Sequence, residues 1–305
     1  MNVRRSTAAP RGTARRGEQR GGRRGRRGGR LRAVGLNALG LAVFAVAVFP
    51  VAWMVSTAFK PNEEIFSTTP RPLPGSPTLE HFDYVLGGGI AEVSFWTYLR
   101  NSALLALTTV LVSGVLAVLA AIAVARFAFR FRTVFLVMLL VVQMVPAEAL
   151  VLPLFLDLRR LGMIDSLAGL VVVYIGFALP FSIWMLRGFV AAVPRELEEA
   201  AAIDGAGPIR TFWTVLLPLI APGLVATSIF SFITAWNEFI FAFTFLDDQD
   251  KYPLPVMMQY FFGNASNEWG PIMASSTLLT LPVIVFFLLV QRRMVSGLTA
   301  GAVKG

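Results

Sequence analysis

The sequence predicts an all-α membrane protein of six transmembrane helices with one polar helix-turn-helix loop, and three observations carry that expectation. First, 56% of the 305 residues are hydrophobic and 15% are charged, with a mean hydropathy of +0.67. Soluble domains rarely show that balance. Second, cutting the chain at its charges leaves apolar windows at 33–59, 101–125, 133–156, 166–186, 219–245 and 269–291, each able to cross a bilayer at about 20 residues per helix. Third, Lys and Arg are divided unevenly between the connectors. Those connectors are too small to cover six such helices in water, and helices satisfy their own backbone groups in lipid.

The expected organisation is a tail at 1–32, a transmembrane domain at 33–296 and a second tail at 297–305. The first 32 residues hold twelve Arg in a Gly-rich, low-complexity run that cannot build a core and is expected to be disordered. Such a run fixes the inside orientation of the first span and meets anionic headgroups, which makes a nucleic-acid partner the less favoured reading. The first apolar window is too long for a signal-peptide core and reads as a retained helix. Segment 60–99, rich in Pro and Gly, is read as an outside loop with short helices.

Orientation follows from the remaining charges. Arg126, Arg130 and Arg132 follow the second window, Arg187, Arg195 and Arg210 follow the fourth, and Arg292, Arg293 and Lys304 follow the last. Only Lys60, Arg71, Arg100, Arg159, Arg160 and Lys251 fall on the other side, so the positive-inside rule puts both termini in the cytoplasm. Arg159 and Arg160 run against the trend.

Signs of catalysis are sparse. The one His, His81, lies in a predicted outside loop and reads as ordinary surface, since a metal site needs several converging ligands. Cysteine is absent, which removes disulfides and thiolate metal sites. No phosphate-binding loop of the form GxxxxGK(S/T) and no GxSxG elbow occurs, and Asn264-Ala265-Ser266 is a sequon too short to weigh.

Charges within the windows carry more information, because an ionisable group at membrane depth usually faces a cavity or a partner. Glu148 lies in "QMVPAEALVLP", between Pro146 and Pro153, where missing donors permit a kink or a broken helix. Glu238 follows Asn237 in "AWNEFIFAF". Glu148, Asn237 and Glu238 are candidate pathway-lining residues, the alternative being carboxylates at the interface bonded to headgroups or a neighbouring helix.

The stretch "VPRELEEAAAIDGAGPIRTFWTVLLPLIAPG", 193–223, departs most from its surroundings. Pro194 suits a first turn, and Glu196, Glu198 and Glu199 suit the positive end of a helix dipole. Asp204-Gly205-Ala206-Gly207 is read as supplying positive-φ positions, and Pro208 as opening a second helix. The expected product is an elbow under the membrane, acidic and small on its exposed side and suited to a concave partner.

In that stretch Glu199-Ala200-Ala201, then Gly205, then Val215, Leu217 and Pro218 resemble the EAA loop of the ABC importer permeases, with Val215 in place of the more usual Ile. The stretches beginning at Ser56, Asn101, Ala235 and Ala274 are similar to the carbohydrate importer permeases of the maltose type, the MalG-like half, over about 34–305. The resemblance implies a MetI-like fold and a subunit that is not itself catalytic. It implies coupling to an ATPase through Glu199, Ala200, Ala201, Asp204, Gly205 and Pro218. The implied partners are a homologous second permease, two ATP-binding subunits, an extracytoplasmic sugar-binding protein, membrane lipid and the sugar itself. No cofactor is expected on this chain; ATP and Mg belong to the partner ATPase. The implied location is a bacterial or archaeal plasma membrane. Loop 247–268 would meet the binding protein and residues 297–305 the ATPases. The rivals are a stand-alone secondary transporter, which usually shows inverted repeats or paired broken helices, a membrane enzyme and a membrane scaffold.

Overall fold

The computed structural model describes residues 22–87, 93–262 and 268–301, with side chains for 34–87, 93–262 and 268–291. Every regular element among them is helical. The chain divides into two compact units, 1–53 and 54–305.

The described part of the first unit is 22–53 of helix α1, which spans Gly22–Ala58 and is apolar from Val34 onward. Residues 1–21 of the expected disordered tail lie outside the described residues. From Gly22 the backbone is already helical, where disorder was expected. Extending an existing helix avoids the nucleation cost that an isolated Arg/Gly run would meet.

The second unit is built on three long helices: α4 (Phe95–Arg126), α7 (Leu167–Ala192) and α10 (Leu217–Trp236), packed against one another. Helix α4 turns Ser102, Ala106, Thr109, Ser113, Ala117 and Ala121 inward as a buried stripe of small side chains. Small residues let backbones approach, which drives association where lipid removes the hydrophobic difference. Close approach recurs at Gly223 on α10, where an added Cβ would meet the Phe189 ring at 2.4 Å. Helix α13 (Trp269–Gly301) packs on α10 and on α3 (Glu80–Leu86), which follows the single turn α2 (Asn62–Ile65).

Two of the expected spans are broken, the first where Pro146 and Pro153 allowed it. Window 133–156 is α5 (Arg132–Gln143) followed by a 3-10 turn and α6 (Val151–Arg160), bent by 97°. Helix α5 has 12 residues, about 18 Å of rise against a hydrocarbon core of about 30 Å. The break falls at Pro146, whose ring and missing N–H end the first segment. Window 219–245 stops at Trp236 and restarts as α11 (Ile240–Phe245). No proline causes this second break; the Glu238 side chain does, as described below.

The connector at 246–262 contains a 3-10 turn at Gln249–Lys251 and α12 (Leu254–Met257). The expected loop 247–268 is described except at 263–267, which holds the sequon. The C-terminal tail is helical in backbone through Gly301, and 302–305 lie outside the described residues.

His81 is not the surface residue that the sequence suggested. It is 2% exposed, its Nε2 is 2.8 Å from the Lys60 carbonyl, and its ring lies against Gly270. Gly270 has no Cβ, so α13 can approach the ring closely enough to enclose it.

Candidate functional site

The elbow lies between α7 and α10. Helix α8 (Arg195–Ile203) follows Pro194, with Glu196 and Glu198 in its first turn, where the helix dipole favours carboxylates. It ends in a Schellman turn: the Ala206 N–H donates to the Ala201 carbonyl at 2.9 Å and the Gly205 N–H to the Ala202 carbonyl at 3.0 Å. Gly205 supplies the left-handed position, φ 81°. Gly207, expected to do the same, has φ −70° and instead caps the single turn α9 (Pro208–Thr211), with Pro208 at its start. A π-turn at Phe212–Leu216 joins α9 to α10, whose first turn holds Pro218. The widened turn gives Pro218 room where a regular turn would clash with it.

Glu199, Ala200, Asp204, Gly205 and Pro218 are exposed, while Ala201 is half-buried. The exposed side is less acidic and small than expected, because Ile203 is 87% and Ile209 75% exposed on the two sides of the turn.

The residue that fixes the elbow is one the sequence reading passed over. Arg126, in the last turn of α4, places Nη2 at 2.6 Å from Glu198 Oε1 and donates to the Val193 carbonyl at 3.0 Å. Arg195 donates in return to the Arg126 carbonyl at 2.9 Å. The Arg126 side chain is 11% exposed and that of Glu198 26%, so their attraction is screened less than that of a surface pair.

A cavity of about 450 Å³ opens among the 3-10 turn after α5, α7 and the break after α10. Glu148, Asn237 and Glu238 all line it, together with Tyr174, Phe177, Phe239 and Phe241. Their states differ. Glu238 is committed to the fold: its carboxylate accepts from the Tyr174 hydroxyl at 2.6 Å and from the N–H groups of Phe241 and Ala242 at 2.8 and 3.1 Å. It thereby caps α11 and stabilises the break. Asn237 is exposed and donates one N–H to the Ile233 carbonyl at 2.9 Å, which leaves its oxygen free to accept. Glu148 is exposed. Among the described residues, no Lys, Arg or His lines the cavity.

At the end of the bundle away from the elbow, Asn101 is fully buried and donates to the carbonyls of Asp250 and Tyr252 at 2.7 and 3.1 Å. Ser102 Oγ accepts from the Leu254 N–H at 2.8 Å. Asp165, with φ 52°, accepts from the N–H groups of Asp247 and Asp248, both at 3.1 Å, and from Lys251 Nζ at 2.5 Å. The hydrogen bond from Lys251 is the main cause holding the Asp165 carboxyl below its ordinary range, and the same bond raises Lys251. Connector 246–254 is thus fastened to α4 and to the α6–α7 turn. Among the described residues, no group of three or more His, Cys, Asp or Glu converges as a metal site would.

Comparison with known proteins gives a consistent pattern. Residues 113–299 match the family described as "Binding-protein-dependent transport system inner membrane component". The diacetylchitobiose uptake system permease protein DasC of Streptomyces coelicolor is 42% identical over 255 residues, covering 84% of this chain and 91% of that protein. The trehalose transport system permease protein SugB of Mycobacterium tuberculosis is 37% identical, with coverages of 84% and 92%. The trehalose/maltose transport system permease protein MalG of Thermococcus litoralis is also 37% identical, with coverages of 83% and 90%. In fold, the chain is similar to a subunit of a bacterial ABC transporter involved in alginate import, with a TM-score of 0.72 and 24% identity over 87% of this chain and 97% of that one.

Proposed function

Because the chain belongs to the family of binding-protein-dependent transport system inner membrane components, we propose that it is the permease subunit of an ATP-driven carbohydrate importer, specialised for neutral sugars. It forms part of the translocation pathway, hydrolyses nothing itself, and passes motion from an ATPase to the membrane through the elbow at 193–218. A family defined by dependence on a binding protein leaves the stand-alone secondary transporter without support.

The observation that carries the substrate reading is the lining of the cavity. The exposed carboxylate of Glu148 and the free oxygen of Asn237 are acceptors for sugar hydroxyls, Phe177, Phe239 and Phe241 offer apolar faces, and among the described residues no Lys, Arg or His lines the cavity to hold an anionic sugar. Relatives named for diacetylchitobiose and trehalose support the same class.

The proposed complex contains this chain, a second permease, two ATP-binding subunits and an extracytoplasmic sugar-binding protein. ATP and Mg bind to the ATPase subunits. Both termini lie in the cytoplasm, so the elbow faces the ATPases and connector 246–262 faces the binding protein. ATP binding closes the ATPase pair, the closure moves the elbow, and the pathway alternates between inward and outward access. That change requires the partner to bind the two states with different affinity. In this reading the exposed Glu199, Ala200, Asp204 and Gly205, flanked by Ile203 and Ile209, form the docking face.

Purification from native membranes in mild detergent, with and without a non-hydrolysable ATP analogue, tests the assembly. Recovery of an ATPase, a second permease and a binding protein supports it. Recovery of a chain that works alone contradicts it.

A further inference from the structure

We propose that α4 is a connecting rod between the elbow and the connector at the opposite end of the bundle, with Arg126 and Asn101 as the positioning residues that fasten its two ends. The inference rests on the reading of the elbow as the ATPase dock and of connector 246–262 as the surface for the binding protein. Three observations carry it.

The first is stiffness. Helix α4 has 32 residues and no internal proline, whereas α1, α7, α10 and α13 contain Pro50, Pro180, Pro222 and Pro282, and the α5–α6 pair is bent by 97°. Among the described residues, α4 is therefore the apolar span with no proline to interrupt its hydrogen-bond ladder. It is about 48 Å long at 1.5 Å per residue. Sharp kinks in helices arise chiefly at proline, at Gly/Ser pairs or at widened turns; α4 holds one such pair, Ser113-Gly114, yet runs as one unbroken helix from Phe95 to Arg126, so displacement along it is delivered at its far end.

The second is the grip at the elbow. Arg126 is bonded to the elbow in both directions: its guanidinium holds Glu198 and the Val193 carbonyl, and its own carbonyl receives Arg195. These contacts span both sides of Pro194, the point where the chain leaves α7 and enters α8. A rotation of α8 therefore pulls on the end of α4.

The third is the grip at the opposite end. Both amide protons of Asn101 go to the carbonyls of Asp250 and Tyr252, and Ser102 takes the Leu254 N–H one residue further along the rod. Asn101 is 0% exposed, so a broken bond there leaves its own buried amide unpaired and the connector follows the helix instead. Because coupling is reciprocal, a liganded binding protein on the connector biases the elbow as strongly as the ATPase biases the connector.

The test uses the complete assembly in liposomes, with N,N′-diacetylchitobiose, trehalose or maltose as the probe, whichever the wild type takes up. ATP hydrolysis is measured with and without the liganded binding protein, alongside uptake. Arg126→Ala and Asn101→Ala are each expected to leave basal hydrolysis within about twofold and to cut both stimulation and uptake by about tenfold, in the usual range of allosteric coupling. Ser102→Ala is the milder second variant at the connector end, and Arg126→Lys should restore part of the coupling. The decisive readout is the variant with both Arg126→Ala and Asn101→Ala. Distant sites normally add, but a rod released at both ends is no worse than one released at either, so the losses should not multiply.

Multiplying losses, unchanged stimulation in either single variant, or an equal fall in basal and stimulated hydrolysis would overturn the rod. A wild-type assembly that imports without ATP overturns the importer reading as well, so the two failures are distinguishable.

Discussion

Tyr174 donates a 2.6 Å hydrogen bond to the carboxylate of Glu238, and the same carboxylate receives the N–H groups of Phe241 and Ala242. The pair joins α7 to the break between α10 and α11 and forms one wall of the cavity. The Glu238 carboxylate is here a structural cap, satisfied on both oxygens, and Glu148, which also lines the cavity, is the exposed carboxylate.

Glu238→Ala should therefore act on stability before it acts on sugar. Loss of a helix cap costs about 1 kcal/mol, and the Tyr174 hydroxyl left without its partner adds about 1–3 kcal/mol. A lowered Tm of the detergent-solubilised protein is the expected result, with Glu238→Gln intermediate. An unchanged Tm with altered sugar affinity would instead make Glu238 a ligand. Glu148→Gln should leave Tm unchanged and weaken uptake.

Gly205→Val should abolish uptake while leaving membrane content normal. The backbone at φ 81° costs an L-residue with a Cβ about 1–2 kcal/mol, and a β-branched side chain is among the least tolerant there. The distortion falls on an exposed turn, where nothing crowds a new Cβ, so insertion into the membrane is spared. Gly205→Asn, which tolerates this region, should retain much of the activity. Immunoblots of membranes beside uptake assays separate coupling from expression.

The Asp165–Lys251 pair gives connector 246–254 a defined pH range. The folded pKa of Asp165 is depressed, so its contribution is present above the unfolded value of about 4 and is lost as pH falls through the folded value. Lys251 is raised, so its contribution is present below about 10.4 and is lost as pH rises through its folded value. Amide hydrogen exchange in 246–252, corrected for intrinsic rates, should be flat across neutral pH and rise in strong acid. Asp165→Asn, which keeps the tolerance for φ 52°, should show faster exchange already at neutral pH. Unchanged exchange in that variant would contradict the clamp.

Gly270→Ala should destabilise the packing of α13 on α3. The added Cβ would fall 2.1–2.5 Å from three atoms of the His81 ring. His81 is held by the Lys60 carbonyl and cannot withdraw freely. A cost of about 1–3 kcal/mol is expected from overpacking, read as a lower Tm. His81→Ala in the same chain should recover part of that loss.

Features set by local chain chemistry were legible in the sequence. Pro194, Gly205 and Pro208 announce where a helix starts, turns and restarts, because proline and glycine act on their own backbone. The break near Glu148 was foreshadowed by Pro146 for the same reason. The break at Glu238 was not, since it depends on a side chain capping the next helix and on Tyr174, 64 residues away. Arg126 and Glu198 are also distant in sequence, and the adjacent Glu199 carried the motif. Only the packing of α4 on the elbow reveals which carboxylate faces inward. His81 was misread because its burial depends on Gly270, which gives no local signal.

The most direct test of the importer account is sugar uptake by the reconstituted assembly in liposomes, with ATP sealed inside and the binding protein carrying a neutral disaccharide outside. The account predicts uptake only when ATP and binding protein are both present, and none with Gly205→Val. Uptake that proceeds without ATP, or that follows an imposed ion gradient, would contradict it.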